Sequence, residues 1–365
     1  MGACVSRFAI ELARPEDDAA LRARMAEDFM EGRISVSFRR EPSYFAACRL
    51  QGEATQVVKC VERTTGAIVG MGSRSTALAW VDGSPRRIGY LADLRLAREW
   101  RRRVLLARGY RYLRAMHEAD PVPLYTTVIY EGNEAARGAL VGGRAGLPLY
   151  EEWGRVLTPA IRIGTSRKAP SGSIERGRSL PEIVAFLNEC WRARQFAPVC
   201  RLEDFEFGRF AGLQAKDFFV ARRNGRLIGT VAAWDQKALR QTHVERYSGA
   251  LRWMRPAYNA LATLTSLRPL PAIGERIPYV YLACIAVQGD DCGVLRALLG
   301  TALHSLSGGP WHYAIAGLHE TDPLAAALKE FRGIEAAGRL YVVHFADEPL
   351  AIERGRVPHV EAACL

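Results

Sequence analysis

The chain has 365 residues, of which 49% are hydrophobic and 24% charged; this composition is ordinary for a globular protein, and the length predicts two domains. Its net charge of +11 favours anionic partners such as a phosphorylated cofactor, an acidic substrate or a nucleic acid. No run approaches the roughly 18 apolar residues of a membrane span, and the eight cysteines form neither a C-x-x-C pair nor a metal-spaced cluster with the histidines. We therefore expect a reduced, cytoplasmic protein without a metal site and without a membrane partner.

The first half of the sequence predicts strands and helices in a regular order. A strand at 8–12 precedes a helix that begins at Pro15-Glu-Asp-Asp18 and runs toward Met30. Runs rich in Val, Ile and Thr then predict an antiparallel meander, with strands at 55–63, 66–79 and 86–96. The apolar spacing that follows predicts a helix over 104–119, a strand over 124–130, a helix over 133–141 and strand-like material to Ile163.

A polar, breaker-rich stretch at 165–173 interrupts this pattern and predicts a linker between domains at 1–164 and 174–365. Beyond it the order of elements returns, with a strand near 173–176, a helix over 180–194 and a hairpin that turns at Asn224-Gly225. The residues themselves are also similar, since Tyr90-Leu-Ala-Asp-Leu-Arg-Leu96 aligns with Tyr281-Leu-Ala-Cys-Ile-Ala-Val287. The second half therefore reads as a duplicate of the first.

The second copy carries an insert at 235–278 where the first has a short turn. The insert includes the amphipathic stretch Leu251-Arg-Trp-Met-Arg-Pro-Ala-Tyr-Asn-Ala260. These apolar residues would suit a lid over a substrate cleft or a brace between domains equally well, so both interpretations stay open.

The order of elements is similar to that of the GNAT N-acetyltransferase superfamily, and two stretches carry the resemblance. Leu94-Arg-Leu-Ala-Arg-Glu-Trp-Arg-Arg-Arg-Val-Leu-Leu106 lies where that family has a strand ending in its acyl-CoA motif, Arg/Gln-x-x-Gly-x-Gly/Ala. Tyr130-Glu-Gly-Asn-Glu-Ala-Ala136 resembles the second motif, in which an asparagine opens the next helix. The resemblance covers nearly the whole chain as two tandem copies. It implies an α+β, three-layer fold in which each copy is a mixed, mainly antiparallel sheet flanked by helices.

The resemblance also implies an acyl-CoA site at the start of the helix that follows Leu96. Unpaired backbone N–H groups and the positive end of a helix dipole suit the CoA pyrophosphate. When the motif's arginine is aligned with Arg101, its small positions fall on Val104 and Leu106, and three consecutive arginines supply charge where the family has glycine. The cofactor-binding residues expected on this basis are Leu94, Arg95, Leu96, Arg101, Arg102, Arg103, Val104, Leu105, Leu106 and Asn133.

The basic stretch at 101–114 also fits other functions. Arg108, Arg111 and Arg114 fit a solvated helix face opposite an aliphatic stripe. A nucleic-acid grip requires aromatic residues spaced among the basic ones for stacking, and only Trp100 and Tyr110 are available. A nucleic-acid partner is therefore disfavoured.

Acyl transfer to an amine needs a group that takes the ammonium proton, donors to the developing oxyanion and an acid for the leaving thiolate. The resemblance implies Asp93 for the amine and the backbone N–H groups of Leu94 to Leu96 for the oxyanion; the alternative for Asp93 is that it holds a nearby arginine. The family's usual tyrosine acid falls on Leu140, so Tyr150 is the replacement candidate, with packing at a strand edge as its alternative. Asn133 is expected to cap a helix, to contact the cofactor, or both.

The acceptor site and the second copy complete the prediction. Arg39, Arg40 and Glu41 lie in the region that lines acceptor pockets in this superfamily, with a structural turn as the alternative. In the second copy Cys284 replaces Asp93, and the phosphate loop Gln288-Gly-Asp-Asp-Cys-Gly293 carries two carboxylates that repel a pyrophosphate. The second copy is therefore expected to be degenerate and to shape the acceptor site or stabilise the pair.

These features predict an N-acyltransferase whose first domain transfers acetyl from acetyl-CoA, or the acyl group of a related acyl-CoA, to a small-molecule amine. The amine attacks directly in a ternary complex, and no metal is required. One alternative is a longer acyl donor, on CoA or on an acyl carrier protein. The other is a catalytically dead pair that acts as a ligand sensor or scaffold, favoured by the lost glycines and the missing tyrosine.

Overall fold

The computed structural model describes residues 6–101, 103–142, 146–164, 174–265, 267–348 and 350–365. The predicted linker at 165–173 and one of the predicted cofactor-binding residues, Arg102, lie outside the described residues. In the part of the chain that is described, no helix is both long enough and apolar enough to span a bilayer.

The elements of the first half follow the predicted order closely. Its helices are α1 (Asp18–Glu27), α2 (Tyr44–Cys48), α3 (Arg103–Ala119) and α4 (Glu134–Leu140). Its strands are β1 (Phe8–Leu12), β2 (Phe29–Met30), β3 (Ile34–Arg39), β4 (Ala54–Glu62), β5 (Ile68–Val81), β6 (Ser84–Leu96), β7 (Tyr125–Tyr130), β8 (Leu149–Leu157) and β9 (Ala160–Arg162).

The second half repeats this order and adds the insert. Its helices are α5 (Leu180–Trp191), α6 (Glu203–Glu206), α7 (Ala250–Leu264), α8 (Cys292–Leu306) and α9 (Ala325–Leu328). Its strands are β10 (Ile174–Arg176), β11 (Phe218–Arg223), β12 (Arg226–Trp234), β13 (Gln241–Tyr247), β14 (Tyr279–Val287), β15 (Tyr313–Ala316), β16 (Leu318–His319), β17 (Gly333–Ile334) and β18 (Ala337–His344).

Two large sheets form the body of the protein, and each contains strands from both halves of the chain. The first has the order β1-β4-β5-β6-β7-β18-β8-β16, and the second has the order β10-β11-β12-β14-β15-β9-β17. Most neighbours are antiparallel, whereas β6 with β7 and β14 with β15 are parallel. The predicted α+β class with mixed, mainly antiparallel sheets is confirmed. The exchange of β9 and β18 between the sheets was not predicted.

A third, small sheet joins the two halves through the insert. β13 pairs antiparallel with β3, from Gln241 opposite Arg39 to Tyr247 opposite Ile34. β2 lies on the other side of β3. The first part of the insert is therefore a brace between the halves.

The helices that cover the sheets bury the aliphatic stripes seen in the sequence. In α8, Leu295, Leu298, Leu299 and Leu303 are fully buried in the core of the second sheet. In α3, Tyr110, Leu113 and Met116 pack in a cluster with side chains of β7 and β18. Burying a side chain of this size contributes about 1.5–3 kcal/mol, so the stripes fix which face of each helix meets the sheet.

Candidate active site

A bulge near the end of β6 places Asp93 in an unusual backbone conformation. The pairing of β5 with β6 shifts between Met71 and Ser73, and Asp93 has a φ of 55°. The pairing of β12 with β14 shifts in the same way, and Cys284 has a φ of 52°. Positive φ costs free energy in a residue with a side chain, so its repetition at the aligned positions supports a duplication.

Directly after this point β6 and β7 separate. Their parallel pairing consists of Gly89 with Tyr125 and Tyr90 with Thr126, and in the described chain no later pair follows. Residues 91–96 of β6 therefore expose one backbone edge to the gap. An extended ligand can add to such an edge as a strand does.

A central cavity lies beside the point where these strands separate. Tyr90 and Thr126 line it from the first sheet, and residues of the second half close it, including Arg209 and the segment 359–365. Three buried nitrogens of its lining have no hydrogen-bond partner in the described structure: Gln51 Nε2, Arg209 Nε and His359 Nε2. The residues that line the cavity thus include polar side chains with unused hydrogen-bonding capacity.

Asp93 is held by two buried side chains of the first half. Its Oδ2 lies 2.5 Å from Arg40 Nη2 and accepts a hydrogen bond from the Tyr44 hydroxyl at 2.8 Å. Burial lowers the pKa of Arg40, but the charges of Asp93, Tyr44 and Cys48 together outweigh burial, and the pKa rises above its ordinary value. Burial and the Asp93 charge raise the pKa of Tyr44 well above 10. The structure therefore shows Asp93 holding a nearby arginine, and this ion pair stabilises the bulge.

The predicted acceptor residues all contact protein groups. Arg39 pairs with Glu245 of β13 at 2.7 Å, and Arg40 pairs with Asp93. Glu41 pairs with Arg22, and its backbone N–H donates to the Gln241 side chain at 3.0 Å. These three residues are not among the described lining of the central cavity.

Arg101, at the mouth of α3, bridges neighbouring elements. Its Nε donates to the carbonyl of Leu96 at 3.0 Å, and its Nη2 lies 3.1 Å from Asp28 Oδ1. Its side chain is 48% exposed and remains accessible to a ligand.

The apolar residues expected around the cofactor differ in exposure. Val104 is 67% exposed and Leu94 is 44% exposed, whereas Leu105 is buried. Leu106 packs at the edge of the cluster beneath α3. The exposed Val104 side chain leaves the first turn of α3 open to solvent.

Tyr150 and Asn133 lie on the α3 side of the first sheet. The Tyr150 hydroxyl contacts that of Tyr110, and burial together with Tyr110 raises the pKa of Tyr150 well above 10. Asn133 caps α4, because its side-chain oxygen accepts from the backbone N–H of Ala136 at 3.1 Å. The helix-capping role expected for Asn133 is present in the structure.

The second half has its own bulge, but side chains already bond to it. Glu361 accepts from the N–H of Cys284 at 2.9 Å, and Thr230 donates to the carbonyl of Cys284 at 3.0 Å. Trp191 donates to the carbonyl of Ile285 at 3.1 Å. The backbone groups that a ligand would need are occupied there.

The carboxylates of the acidic loop before α8 likewise bond to other groups of the protein. Asp291 accepts from the N–H groups of Gly293 and Val294 at 2.8 and 3.2 Å, and Asp290 pairs with Arg194. The first turn of α8 is therefore capped by a carboxylate of the protein itself.

We expect Asp291→Ala to lower the free energy of unfolding by about 1 kcal/mol, because two N–H groups at the start of α8 lose their acceptor. Urea denaturation of both proteins measures the difference. Asp291→Asn is the matched variant and should retain most of the stability, since asparagine also caps helices. Equal losses in both variants would contradict a capping role.

The segment 359–365 contributes groups that sequence reasoning missed. Burial, followed by the charges of Arg194 and Arg209, lowers the pKa of His359 to about 3, so its imidazole is neutral at neutral pH. Burial raises the pKa of Glu361, although hydrogen bonds from backbone N–H groups oppose this. Arg240 donates to the carbonyl of Ala363 at 2.5 Å and holds the segment in place. No motif spacing marks these residues, since they meet the first sheet only in three dimensions.

Metal ligation is not evident at this site. In the described ranges no group of three or more His, Cys, Asp or Glu side chains is arranged to hold a metal ion. The polar groups of the cavity instead form a site of hydrogen-bond donors and acceptors.

Comparison with known proteins identifies the fold. No known protein family and no curated protein matches the sequence. Saccharomyces cerevisiae N-myristoyltransferase with bound myristoyl-CoA is similar in structure, with a TM-score of 0.62 and 10% identity over 93% of this chain and 80% of that one. A conserved protein from Enterococcus faecalis V583, described as a probable N-acyltransferase, has a TM-score of 0.50 and 9% identity over 94% of this chain and 74% of that one.

A third similar structure is a GCN5-related glucosamine N-acetyltransferase region of a fungal multi-domain beta-N-acetylglucosaminidase. Its TM-score is 0.59 and its identity 14%, over 92% of this chain and 38% of that one. The likeness to all three extends along nearly the whole of this chain, through both sheets. The chain therefore has the double-domain fold of the GNAT acyltransferases.

Proposed function

We propose that the protein is an N-acyltransferase that binds an acyl-CoA along the first sheet and transfers its acyl group to an amine in the central cavity. The observation that carries this proposal is the backbone edge of β6 at 91–96, which lies between the start of α3 and the cavity. The pantetheine arm of CoA has amide groups that can pair with such an edge. The similar structures, which include an enzyme with bound myristoyl-CoA, support an acyl-CoA donor.

The first sheet is the proposed donor site because the second offers fewer free groups. Around the bulge of β14, Glu361, Thr230 and Trp191 already form hydrogen bonds. At the start of α8, Asp291 fills the position that a phosphate would take. The second half contributes instead to the cavity, through Arg209 and the segment 359–365.

The chemistry follows from this placement. The amine nitrogen attacks the thioester carbon, and the backbone N–H groups of Leu94 to Leu96 are the proposed donors to the oxyanion. The C–S bond then breaks. The nitrogen loses a proton, for which Asp93 is the candidate acceptor, and the thiolate takes a proton, for which Tyr150 is the candidate donor. Asp93, paired with Arg40, is proposed to hold the bulge in register and to orient the amine.

The proposed donor is acetyl-CoA, and a longer acyl-CoA is the second candidate because one similar structure binds myristoyl-CoA. Parallel assays with acetyl-CoA and myristoyl-CoA, reading the release of free CoA with a panel of amines, distinguish them. Binding of both donors without turnover of any amine would support the sensor or scaffold alternative.

The three consecutive arginines at 101–103 in the sequence provide a binding test. We expect acetyl-CoA to bind at least tenfold more weakly to the variant in which Arg101, Arg102 and Arg103 are replaced by alanine, because the pyrophosphate loses positive charge. Isothermal titration calorimetry on the full chain measures both affinities. Absence of binding to either protein would refute the acyl-CoA proposal.

A charge-matched control separates local contacts from the general positive field. Arg178, Arg223 and Arg354 are 84%, 68% and 64% exposed, and replacing them by alanine removes the same charge from other parts of the surface. This control should bind acetyl-CoA nearly as well as the intact protein. If both triple variants weaken binding equally, the three arginines at α3 have no specific role.

A further inference from the structure

Helix α7, in the insert, presents an apolar face to solvent. Trp253, Met254, Leu261 and Leu264 are 77%, 61%, 52% and 85% exposed. On a helix these positions lie on one side, since 254, 261 and 264 follow at spacings of seven and three and Trp253 is adjacent. Such a patch is uncommon on the free surface of a protein and marks an interaction site.

Two polar residues of α7, Arg255 and Asn259, point away from this apolar face. Arg255 donates to the carbonyls of Pro271 and Leu270 at 3.1 and 3.3 Å. Asn259 donates to the carbonyl of Leu270 at 3.0 Å and accepts from its N–H at 2.8 Å. These bonds fix α7 on the following loop, so its apolar face stays turned outward. The helix is thus inverted relative to one that packs on a core.

Positive charge predominates in the sequence around α7. Residues 246–274 contain four arginines and no aspartate or glutamate, and the flanking Glu245 and Glu275 are bonded to Arg39 and to the N–H of Ala272. Arg252 lies on the exposed side of α7, with its guanidinium 5.4 Å from the centre of the Trp253 ring. Two further exposed apolar side chains, Leu267 and Ile273, follow in the same insert.

We propose that the outer face of α7 docks on an anionic lipid surface. Exposed tryptophan and leucine side chains in an arginine-rich segment are the features of helices that lie in the plane of a bilayer interface. A second copy of the chain is a poorer partner, because it would bring two positive faces together in a protein of net charge +11. This proposal departs from the sequence-based expectation of no membrane partner. That expectation rested on the lack of a spanning stretch, which docking on a lipid surface does not need.

Vesicle flotation of the full-length protein tests the proposal. Vesicles of phosphatidylcholine alone are compared with vesicles that also contain phosphatidylglycerol, at low and high salt. We expect at least tenfold tighter binding to the anionic vesicles and a loss of this binding at high salt. Binding to neither vesicle, or equal binding to both, would overturn the proposal.

Paired variants locate the surface. Trp253→Ser combined with Leu264→Ser should reduce vesicle binding at least tenfold, because both side chains are exposed and their apolar contact with lipid is lost. Phe207→Ser is the matched control, since Phe207 is 79% exposed on a different element and should not affect binding. Sedimentation velocity without lipid tests the other occupant. Self-association that the double variant abolishes, with no vesicle binding, would assign this face to a second copy and refute lipid docking.

Discussion

Asp93→Asn is expected to lower the free energy of unfolding by about 3 kcal/mol or more. The side chains of Arg40 and Asp93 are 3% and 10% exposed and 2.5 Å apart, so the substitution leaves a buried guanidinium without its counter-charge. Breaking a buried pair on one side costs about 3–5 kcal/mol. The Tyr44 hydroxyl also loses a charged acceptor. Urea denaturation at neutral pH, with the linear extrapolation, measures the change.

Two further variants make this prediction specific to the pair. The double variant Asp93→Asn and Arg40→Met should recover much of the lost stability, because no charge is then left buried. Glu330→Gln breaks the exposed pair between Arg296 and Glu330 and should change stability very little. If the stability lost in the double variant equals the sum of the losses in the two single variants, the ion pair is not the source of the effect.

A second large effect on the free energy of unfolding is expected when the pH is lowered. Because the folded-state pKa of His359 is about 3, below the ordinary value of 6.5, the unfolded chain takes up a proton at this residue before the folded protein does. Its stabilising contribution is complete above pH 6.5 and is lost as the pH falls toward 3. The loss amounts to about 1.4 kcal/mol per pH unit, or about 3 kcal/mol over two units.

The difference between the intact protein and His359→Phe isolates this contribution. Glu361 and Asp322, whose pKa values are raised by burial, act in the opposite sense and gain stability as the pH falls, but they are common to both proteins. The free energies of unfolding of the intact protein and of His359→Phe, measured by denaturation from pH 7 to pH 4, should therefore converge as the pH decreases. His243→Phe, at a partly exposed histidine, controls for the substitution. A constant difference across this range would show that His359 does not titrate as proposed.

The elements of each half could be predicted from local sequence. The strand at Phe8–Leu12 and the helix at Arg103–Ala119 are seen almost at the predicted residues, because alternation and helical spacing are local signals. The short strand β2 replaced the last turn of the predicted helix toward Met30, since β3 offers it a partner. Pairing between distant strands leaves no such local trace.

The candidate site was harder to predict for the same reason. Asp93 was recognised from its place in the motif, but its partner Arg40 is 53 positions away and was expected to face the acceptor. His359 and Glu361 reach the first sheet from the far end of the chain. Only the folded topology pairs Asp93 with Arg40 and places His359 and Glu361 in the lining of the central cavity, so neither spacing nor composition could indicate these arrangements.

The exchange of strands has a consequence for synthesis on the ribosome. β18 lies between β7 and β8, so the first sheet cannot close until a strand from near the end of the chain has been translated. About 200 residues separate β7 from β18, which at about 5–20 residues per second corresponds to roughly 10 to 40 seconds. During that interval β18 is absent. The edge of β7 that will pair with β18 is therefore uncovered, and so is the facing edge of β8. The protein therefore needs a chaperone most during the period in which only its first half has been synthesised.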